Sequence, residues 1–323
     1  MRYLIVGAGA LGSVFGGLLR HRGHSVAFIG RGPHFEHITT QGLTIEGIWG
    51  DFSLGPVAPH SDLSGQYDVI LLCIKSFHTQ EACRRVKGLL APQGLIVSVQ
   101  NGLGNLEIIA REFGPEHTIG ARIIFGAQVI RPGLVRVTVY AEPVLVGAIG
   151  SGYPRQIMVQ TVEDLNRAGI PTGQVDDILT HLWGKVLYNC ALNPLGAILG
   201  VTYGGLGNDL QTRDLMRLII EEIYRVAAAR GIRLGHADAD SYFKFFMETL
   251  VPATADHWPS MWQDLHAGRR TEIEALNGAI CRYGEAVRVA TPYNDAVSRL
   301  VRFLEHNPKA RGEIAVQEEA RRD

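Results

Sequence analysis

The sequence predicts an α/β domain followed by an all-α domain, and three observations support this division. A short apolar strand, a glycine-rich turn and a helix open the chain, within residues 3–21. Two apolar runs, at 69–74 and 95–99, are typical of parallel strands that are buried on both faces. From about residue 177 the apolar residues follow a helical rather than an alternating period. The chain has 323 residues, about twice the usual length of one domain.

The first elements in order form a βαβ unit. Residues 3–6 predict a strand, a helix follows to about His21, and Ser25–Ile29 predict the second strand. A hairpin-like pair of short strands is predicted at Leu43–Ile45 and Phe52–Leu54. Helices fit between the later strands, so a mostly parallel sheet is expected.

The end of this sheet is predicted to be antiparallel. The stretch 118–146 is rich in β-prone residues and is divided by a Pro132-Gly133 turn. Residues 154–167 predict a helix, and a polar stretch with Gly and Pro follows. The domain boundary is therefore placed near 170–177, which gives domains at 1–175 and 176–323.

The second domain is predicted to be almost wholly helical. The helical segments are 177–199, 209–230, 238–250, 258–267, 272–288 and 292–306. From about Asn307 the residues are charged and lack a core pattern, which predicts a frayed tail or a surface helix.

The charge and cysteine content exclude several classes of protein. The net charge is −1 at a pI near 6.9, whereas a nucleic-acid-binding domain normally has a basic excess. The sequence has neither an apolar run of membrane-spanning length nor a signal-peptide pattern. Its cysteines do not suggest zinc by their spacing, and we interpret them as reduced core residues of a cytoplasmic protein. They are Cys73, Cys83, Cys190 and Cys281.

The glycine-rich turn, which runs from Gly7 through Ala8, Gly9, Ala10 and Leu11 to Gly12, has the G-x-G-x-x-G pattern. It follows a strand and opens a helix, the context that makes this pattern specific for a Rossmann-type dinucleotide-binding domain. The first glycine allows the tight turn, the second a close approach of the backbone to pyrophosphate, and the third close packing of helix on strand. A plain glycine turn is the alternative.

The end of the second strand indicates which dinucleotide is bound. An NAD site usually has an acidic residue there, whereas this chain has Arg31 between two glycines and no acid before Glu36. A guanidinium suits a 2′-phosphate, so NADP is favoured. A solvent-exposed arginine without a ligand is the alternative.

Lys75 and Asn101 follow the two apolar strands at 69–74 and 95–99. Ligands of open α/β sheets bind beyond the carboxyl ends of the strands, so both side chains are candidates for the cofactor site. Lys75 as a surface residue and Asn101 as a turn residue before Gly102 are the alternatives.

The segment 182–198 has one charged residue, Lys185, followed by Asn189 and Asn193 on the same helical face. A helix this apolar should be buried, and buried polar groups are costly without partners. The stripe therefore predicts a lined cavity, in which desolvation lowers the pKa of a lysine toward a value useful for proton transfer. A snorkelling lysine with two amides near the helix end is the alternative, because Pro194 interrupts the segment.

A third cluster contains Ser260 and Glu272. Thr271 with Glu274 predicts a capping box that starts a new helix, and Gly268 should end the preceding one. An unbroken helix would hold Ser260 and Glu272 about 18 Å apart. The break is what allows both to serve one ligand.

These motifs together resemble the ketopantoate reductases (2-dehydropantoate 2-reductases), over nearly the whole chain. The matching segments are GAGALG, Lys75-Ser76, Gln100–Gly104, Trp183–Lys185, Asn189, Asn193-Pro194, PSMWQD and GRRTEIEALNG. The resemblance implies NADPH-dependent reduction of 2-dehydropantoate to pantoate, a step toward coenzyme A. It implies no metal, and a homodimer formed through the helical domain.

The resemblance also implies roles for the candidate residues. Lys185 is similar to the general acid that protonates the developing alkoxide, and Glu272 to the carboxylate that holds the substrate hydroxyl and the lysine. Ser260 resembles the residue that binds the substrate carboxylate. Asn101, Asn189 and Asn193 resemble amides that line the nicotinamide and substrate pocket, with Lys75 nearby, and Arg31 resembles the 2′-phosphate ligand.

One departure bears on the substrate. Some family members have Asn three residues before the serine of the PSM-like motif, where this chain has His257, followed by Trp258. A reductase of another 2-oxo acid is therefore an alternative. A catalytically silent NADPH-binding regulator is another, although Lys185 and Glu272 are both present. A lactate-dehydrogenase-type enzyme is less favoured, because none of the 12 histidines has the required catalytic context.

Overall fold

The computed structural model describes residues 1–60 and 65–307. The chain divides into two compact units, Met1–Leu182 and a second that begins at Trp183. The division after Leu182 lies later in the chain than residue 175, where the sequence places the boundary. It falls inside a helix, where no change in composition marks it. Of the predicted charged tail, all but Asn307 lies outside the described residues.

The first unit is built on one mixed sheet, which has ten strands among the described residues. The strands are β1 (Arg2–Val6), β2 (Ser25–Ile29), β3 (Leu43–Gly47), β4 (Phe52–Leu54), β5 (Ala58–Pro59), β6 (Tyr67–Leu72), β7 (Leu90–Ser98), β8 (Thr118–Arg131), β9 (Leu134–Ala148) and β10 (Thr172–Gln174). Their order is β4-β3-β9-β8-β7-β6-β1-β2-β5, and β10 pairs with β9. The predicted βαβ opening is confirmed.

The helices of this unit connect the strands. They are α1 (Ala10–His21), α2 (Pro33–Thr40), α3 (Thr79–Val86), α4 (Asn105–Phe113) and α5 (Arg155–Arg167). A further helix, α6 (Ile178–Leu199), begins in the first unit and ends in the second. The elements α2, β5 and β10 were not predicted, because each is short and α2 has a single buried residue, Ile38.

The centre of the sheet is parallel and buried on both faces, as the apolar runs predict. β1 pairs in parallel with β2 on one side and with β6 on the other, and β7 pairs in parallel with β6. Val69, Ile70, Leu71 and Leu72 of β6 are each at most 1% exposed. The chain reverses its direction of winding between β1 and β6, and ligands of open α/β sheets bind at such a point.

The far side of the sheet is antiparallel. β8 and β9 form a long pair joined at Pro132-Gly133, with four register shifts along its length. β3 and β4 form the predicted hairpin. The predicted antiparallel end is thus confirmed, and the irregular register lets the long pair bend and twist.

The second unit is helical. Its helices after α6 are α7 (Tyr203–Gly207), α8 (Leu210–Ala229), α9 (Ala239–Phe245), α10 (Val251–Ala253), α11 (Ser260–His266), α12 (Asn277–Ala286) and α13 (Pro292–His306), with one π turn at Phe246–Leu250 between α9 and α10. No helix in the described part of the chain is both long and apolar enough to cross a membrane.

The second unit differs from the prediction at two places. The helix α7, whose five residues include three glycines, was not predicted, because it is too short to show a period. The helix predicted from residue 272 begins only at Asn277, after a 3-10 turn at Ile273–Ala275. The predicted capping box fails because Glu274 pairs with Arg282 and Arg302 instead.

The cysteine prediction is confirmed in part. All four cysteines are free, and Cys83 and Cys190 are buried, but Cys73 and Cys281 are only half-buried. Burial raises the pKa of the Cys83 thiol to about 12. A thiol of such high pKa is inert as a nucleophile at neutral pH.

Candidate active site

The glycine turn is the first part of the candidate site, and two of its glycines are required by local geometry. Gly7 has a φ of +104°, and an added Cβ would lie 2.6 Å from the carbonyl oxygen of Cys73. A Cβ on Gly12 would lie 1.9 Å from the carbonyl oxygen of Gly7. These positions therefore hold strand, turn and helix together, as the pattern predicts.

Gly9 is different, because the space beside its Cα is open rather than filled by protein atoms. It is exposed and precedes the first turn of α1, and no atom of the described residues lies within 4 Å of an added Cβ. The backbone N–H groups of the first turn, at Ala10 and Leu11, lack helical partners and carry partial positive charge. An open helix N-terminus of this kind fits the pyrophosphate of a dinucleotide.

Arg31 lies just beyond β2, on the same edge of the sheet as the glycine turn. Its side chain is exposed, and an Nη atom lies 3.1 Å from Nε2 of His78. Because arginine only donates hydrogen bonds, that histidine nitrogen is the acceptor. This contact of Arg31 with His78 was not predicted, because the two residues lie 47 positions apart and no local pattern connects them.

Lys75 and Asn101 lie after β6 and β7, at the carboxyl edge where the glycine turn and Arg31 also lie. Both are half-buried. β6 ends at Leu72 and β7 at Ser98, so two residues separate each strand from its candidate side chain. The strands β7, β6, β1 and β2 are adjacent and parallel. The carboxyl ends of these strands therefore bring Asn101, Lys75, the glycine turn and Arg31 to one edge of the sheet.

In the second unit, the polar stripe on α6 is brought together with Ser260. Asn189 and Asn193 are 9% and 5% exposed, and the amide nitrogen of Asn193 donates to the amide oxygen of Asn189 at 3.2 Å. The Ser260 hydroxyl lies 3.4 Å from the Asn193 amide oxygen. Two buried amides and an exposed hydroxyl thus form one hydrogen-bonded group.

Tyr203 completes this group and was also missed from the sequence. Its hydroxyl donates to the Asn193 amide oxygen at 3.2 Å, and its side chain is 2% exposed. Burial raises the pKa of Tyr203, so the phenol stays protonated and remains a donor. No periodic pattern marks Tyr203 in the sequence, because it belongs to the short helix α7.

Lys185 precedes Asn189 by one helical turn and lies on the same face of α6. It is half-buried, whereas the sequence predicts a buried lysine. Pro194 lies within α6 and does not end it. Lysine and amides therefore share one continuous helix.

Glu272 lies in the predicted break between helices. α11 ends at His266, and Gly268 takes a φ of +67°, the left-handed conformation of a helix C-terminus. Glu272 is half-buried and directly precedes the 3-10 turn. Glu274 bonds Arg302 at 2.6 Å, which lowers its pKa, so of the two carboxylates Glu274 has the structural role.

Aromatic side chains surround Ser260 in sequence and pack on one another. The rings of Trp258 and Trp262 lie 4.5 Å apart, and those of Trp262 and His266 lie 3.8 Å apart in a stack. His257 packs on the ring of Tyr203 at 5.1 Å, and burial lowers its pKa. His257, which departs from the family pattern, therefore lies next to Tyr203 of the Asn193 group.

Comparison with known proteins identifies relatives of both units. Residues 3–150 match the family model for ketopantoate reductase PanE/ApbA, and residues 177–305 match that for its C-terminal domain. The 2-dehydropantoate 2-reductase of Aquifex aeolicus is 38% identical to this chain, over 94% of the chain and 97% of that protein.

Solved structures with a similar fold include a member of the same family. A PanE/ApbA family ketopantoate reductase from Ralstonia eutropha has a TM-score of 0.84 and 31% identity, covering 96% of this chain and all of that one. A D-mandelate dehydrogenase bound to NADH and anilino(oxo)acetate has a TM-score of 0.86 and 28% identity, covering 95% of this chain and 99% of that one. With both family models matched along most of its length, the chain belongs to the PanE/ApbA ketopantoate reductase family.

Proposed function

We propose that this protein reduces 2-dehydropantoate to pantoate with NADPH. The observation that carries the proposal is the hydrogen bonding of Asn189 and Asn193, which lie on the helix of Lys185, with Ser260 at the start of α11. It offers donors and acceptors for a small polar acid beside a lysine. The full-length similarity to the Aquifex aeolicus 2-dehydropantoate 2-reductase supports this substrate.

The residues of the first unit are proposed to hold the cofactor. The space outside Gly9 and the open N-terminus of α1 fit the pyrophosphate. Arg31 would pair with a 2′-phosphate, with Lys75 and Asn101 toward the nicotinamide end. When bound, the reduced nicotinamide supplies a hydride to the keto carbon of the substrate.

The residues of the second unit are proposed to handle charge and protons. As the keto carbon is reduced, its oxygen gains negative charge, and the Lys185 ammonium stabilises that charge and donates a proton. Glu272 would hold the substrate hydroxyl and orient the lysine. Ser260 would bind the substrate carboxylate, and the two α6 amides would fix its orientation.

NADPH is proposed over NADH because of the charge at the end of β2. Arg31 is exposed and is followed by a glycine rather than an acid, so an NAD ribose would lack its usual carboxylate partner. The NADH-bound D-mandelate dehydrogenase shows that a similar fold accepts the other dinucleotide.

A second candidate function is the reduction of a bulkier 2-oxo acid. The Trp258–Trp262 ring pair next to Ser260 favours it, because aromatic surfaces bind apolar substrate groups. The similarity to a D-mandelate dehydrogenase points in the same direction. His257 and Trp258 are the residues proposed to separate the two substrates.

A substrate panel tests the proposal. NADPH oxidation would be followed with 2-dehydropantoate and with aliphatic and aromatic 2-oxo acids, and kcat/KM compared. The proposal requires the highest kcat/KM for 2-dehydropantoate. Turnover of only an aromatic 2-oxo acid would replace the substrate while keeping the reaction type.

We further propose a cytoplasmic homodimer. The free cysteines suit a reducing compartment. Leu300 and Phe303 on α13 are 50% and 55% exposed, and such side chains are candidates for a subunit interface. Light scattering coupled to size-exclusion chromatography would measure the mass directly.

A further inference from the structure

A buried network of polar side chains lies at the carboxyl edge of the sheet, under the loops that follow β6 and β7. Its members are Ser98, Gln100, Thr79 and Asn105, which are 4%, 6%, 0% and 4% exposed. None of the four is among the residues proposed to bind cofactor or substrate. Buried polar groups of this kind are costly unless satisfied, so their arrangement is informative.

Gln100 is the centre of the network. Its amide nitrogen donates to the carbonyl oxygen of Ile74 at 3.1 Å and to the hydroxyl of Thr79 at 2.8 Å. Its amide oxygen accepts from the hydroxyl of Ser98 at 3.0 Å. A flipped amide would place oxygen against the Ile74 carbonyl, so the partners fix the orientation of the side chain.

Thr79 and Asn105 extend the network to both loops. The single hydroxyl proton of Thr79 has two acceptors, the carbonyl of Ser76 at 2.7 Å and the amide oxygen of Asn105 at 2.9 Å. The amide nitrogen of Asn105 donates to the carbonyl of Asn101 at 3.0 Å. One chain of side chains thus connects the two loops.

The carbonyls that the network binds are those next to the candidate residues. Ile74 and Ser76 flank Lys75, and the third carbonyl belongs to Asn101 itself. β6 and β7 end at Leu72 and Ser98, so the strand ladder does not extend to either residue. Beyond the strand ends, hydrogen bonds from side chains take the place of backbone hydrogen bonds and hold the two loops in position relative to each other.

We propose that Gln100 and Thr79 are positioning residues, which hold the backbone of Lys75 and Asn101 in the geometry that cofactor and substrate require. The inference rests on the proposed function, because it takes from it the roles of Lys75 and Asn101. Misplacement of a binding group by about 1 Å can cost a hundredfold in rate. The network is therefore expected to affect catalysis more than folding.

The test compares three variants with the wild type. Thr79→Val keeps the shape and removes the hydroxyl, and Thr79→Ser keeps the hydroxyl. Thr118→Val is the matched control, because Thr118 is also 0% exposed and donates to a backbone carbonyl, that of Gly114, at 2.7 Å. It belongs to neither loop. For each protein kcat, KM for 2-dehydropantoate, the Kd of NADPH and Tm would be measured.

The expected result is a loss of about tenfold to a hundredfold in kcat/KM for Thr79→Val, with a Tm shift similar to that of Thr118→Val. Thr79→Ser should recover most of the activity, and Thr118→Val should keep wild-type kinetics. If Thr79→Val does not fold, Gln100→Met carries the same expectation.

Two outcomes would overturn the inference, and they are distinguishable. Equal kinetics for Thr79→Val and Thr118→Val, with an active wild type, would contradict the positioning role alone. A wild type without NADPH-dependent turnover of any 2-oxo acid would contradict the proposed function and the inference with it.

Discussion

The side-chain amide of Asn277 donates a hydrogen bond of 3.1 Å to the backbone carbonyl of Cys190. That carbonyl lies four residues before Pro194, which has no N–H to offer it. The amide from α12 therefore replaces the helical bond that the proline removes. This contact lets α6, with Lys185 and both amides, continue as one helix through a proline.

Asn277→Ala tests this account of α6. The substitution leaves a buried carbonyl without its donor, so the free energy of unfolding should fall by about 1–3 kcal/mol. In a Pro194→Ala background the new N–H at 194 can serve Cys190, and the same change should cost less. Denaturant unfolding of the four proteins of this cycle measures the coupling, and additive effects would contradict it.

Gly9 and Gly12 of the turn should respond in opposite ways to alanine. Gly9→Ala meets no described atom within 4 Å and keeps a φ of −79°, so stability should be nearly unchanged. The methyl group should instead obstruct the pyrophosphate and raise the Kd of NADPH. Gly12→Ala places its Cβ 1.9 Å from a backbone oxygen and should destabilise the fold. Fluorescence titration and thermal unfolding distinguish the two effects.

Arg31→Ala should reduce cofactor preference rather than cofactor binding in general. Loss of a charge-assisted contact of about 1.5–3 kcal/mol raises the Kd of NADPH about tenfold to a hundredfold. The Kd of NADH, which lacks the 2′-phosphate, should stay near its wild-type value. Equal weakening of both dinucleotides would argue against a 2′-phosphate contact.

His34 should make the first unit less stable in mild acid. Its Nδ1 accepts from the backbone N–H of Gly133 at 3.2 Å, so Nε2 carries the proton and donates to Ser13 at 2.9 Å. Burial lowers the pKa of His34. The unfolded chain therefore binds a proton at higher pH than the folded chain does, and stability falls as pH drops below about 6.5.

His34→Gln removes this titration while keeping a donor and an acceptor. When the pH is lowered from 7.5 to 5.5, the Tm of the wild type should fall more than the Tm of the variant. Thermal unfolding at both pH values measures it. A difference that is the same at both would show that His34 is not responsible.

Local pattern was sufficient to predict the parts of the fold in which neighbours in sequence decide the structure. β2 has the predicted bounds, Ser25–Ile29, because Gly23 precedes the apolar run 26–29 and the Gly30-Arg31-Gly32 segment follows it. The glycine turn and the stripe on α6 follow from spacing in the same way. Asn189 and Asn193 of α6 do come together with Ser260 in the second unit.

The contacts that were not predicted join residues that are distant in sequence. Glu274 has the spacing of a capping box with Thr271, but Arg302, 28 residues away, binds it instead. Likewise the carboxylate of Glu222 on α8 accepts from the N–H groups of Tyr293 and Asn294 and caps α13 from another helix. Such partners are set by packing, which no local period reveals.

Steady-state oxidation of NADPH with 2-dehydropantoate, by the wild type and by Lys185→Ala, tests the central claim most directly. General acid catalysis contributes about a hundredfold to ten-thousandfold, so the variant should lose that much kcat while its Kd for NADPH stays near the wild-type value. Thermal unfolding would confirm that the variant is folded. A variant that turns over 2-dehydropantoate at the wild-type rate would contradict the assignment of Lys185 as the proton donor.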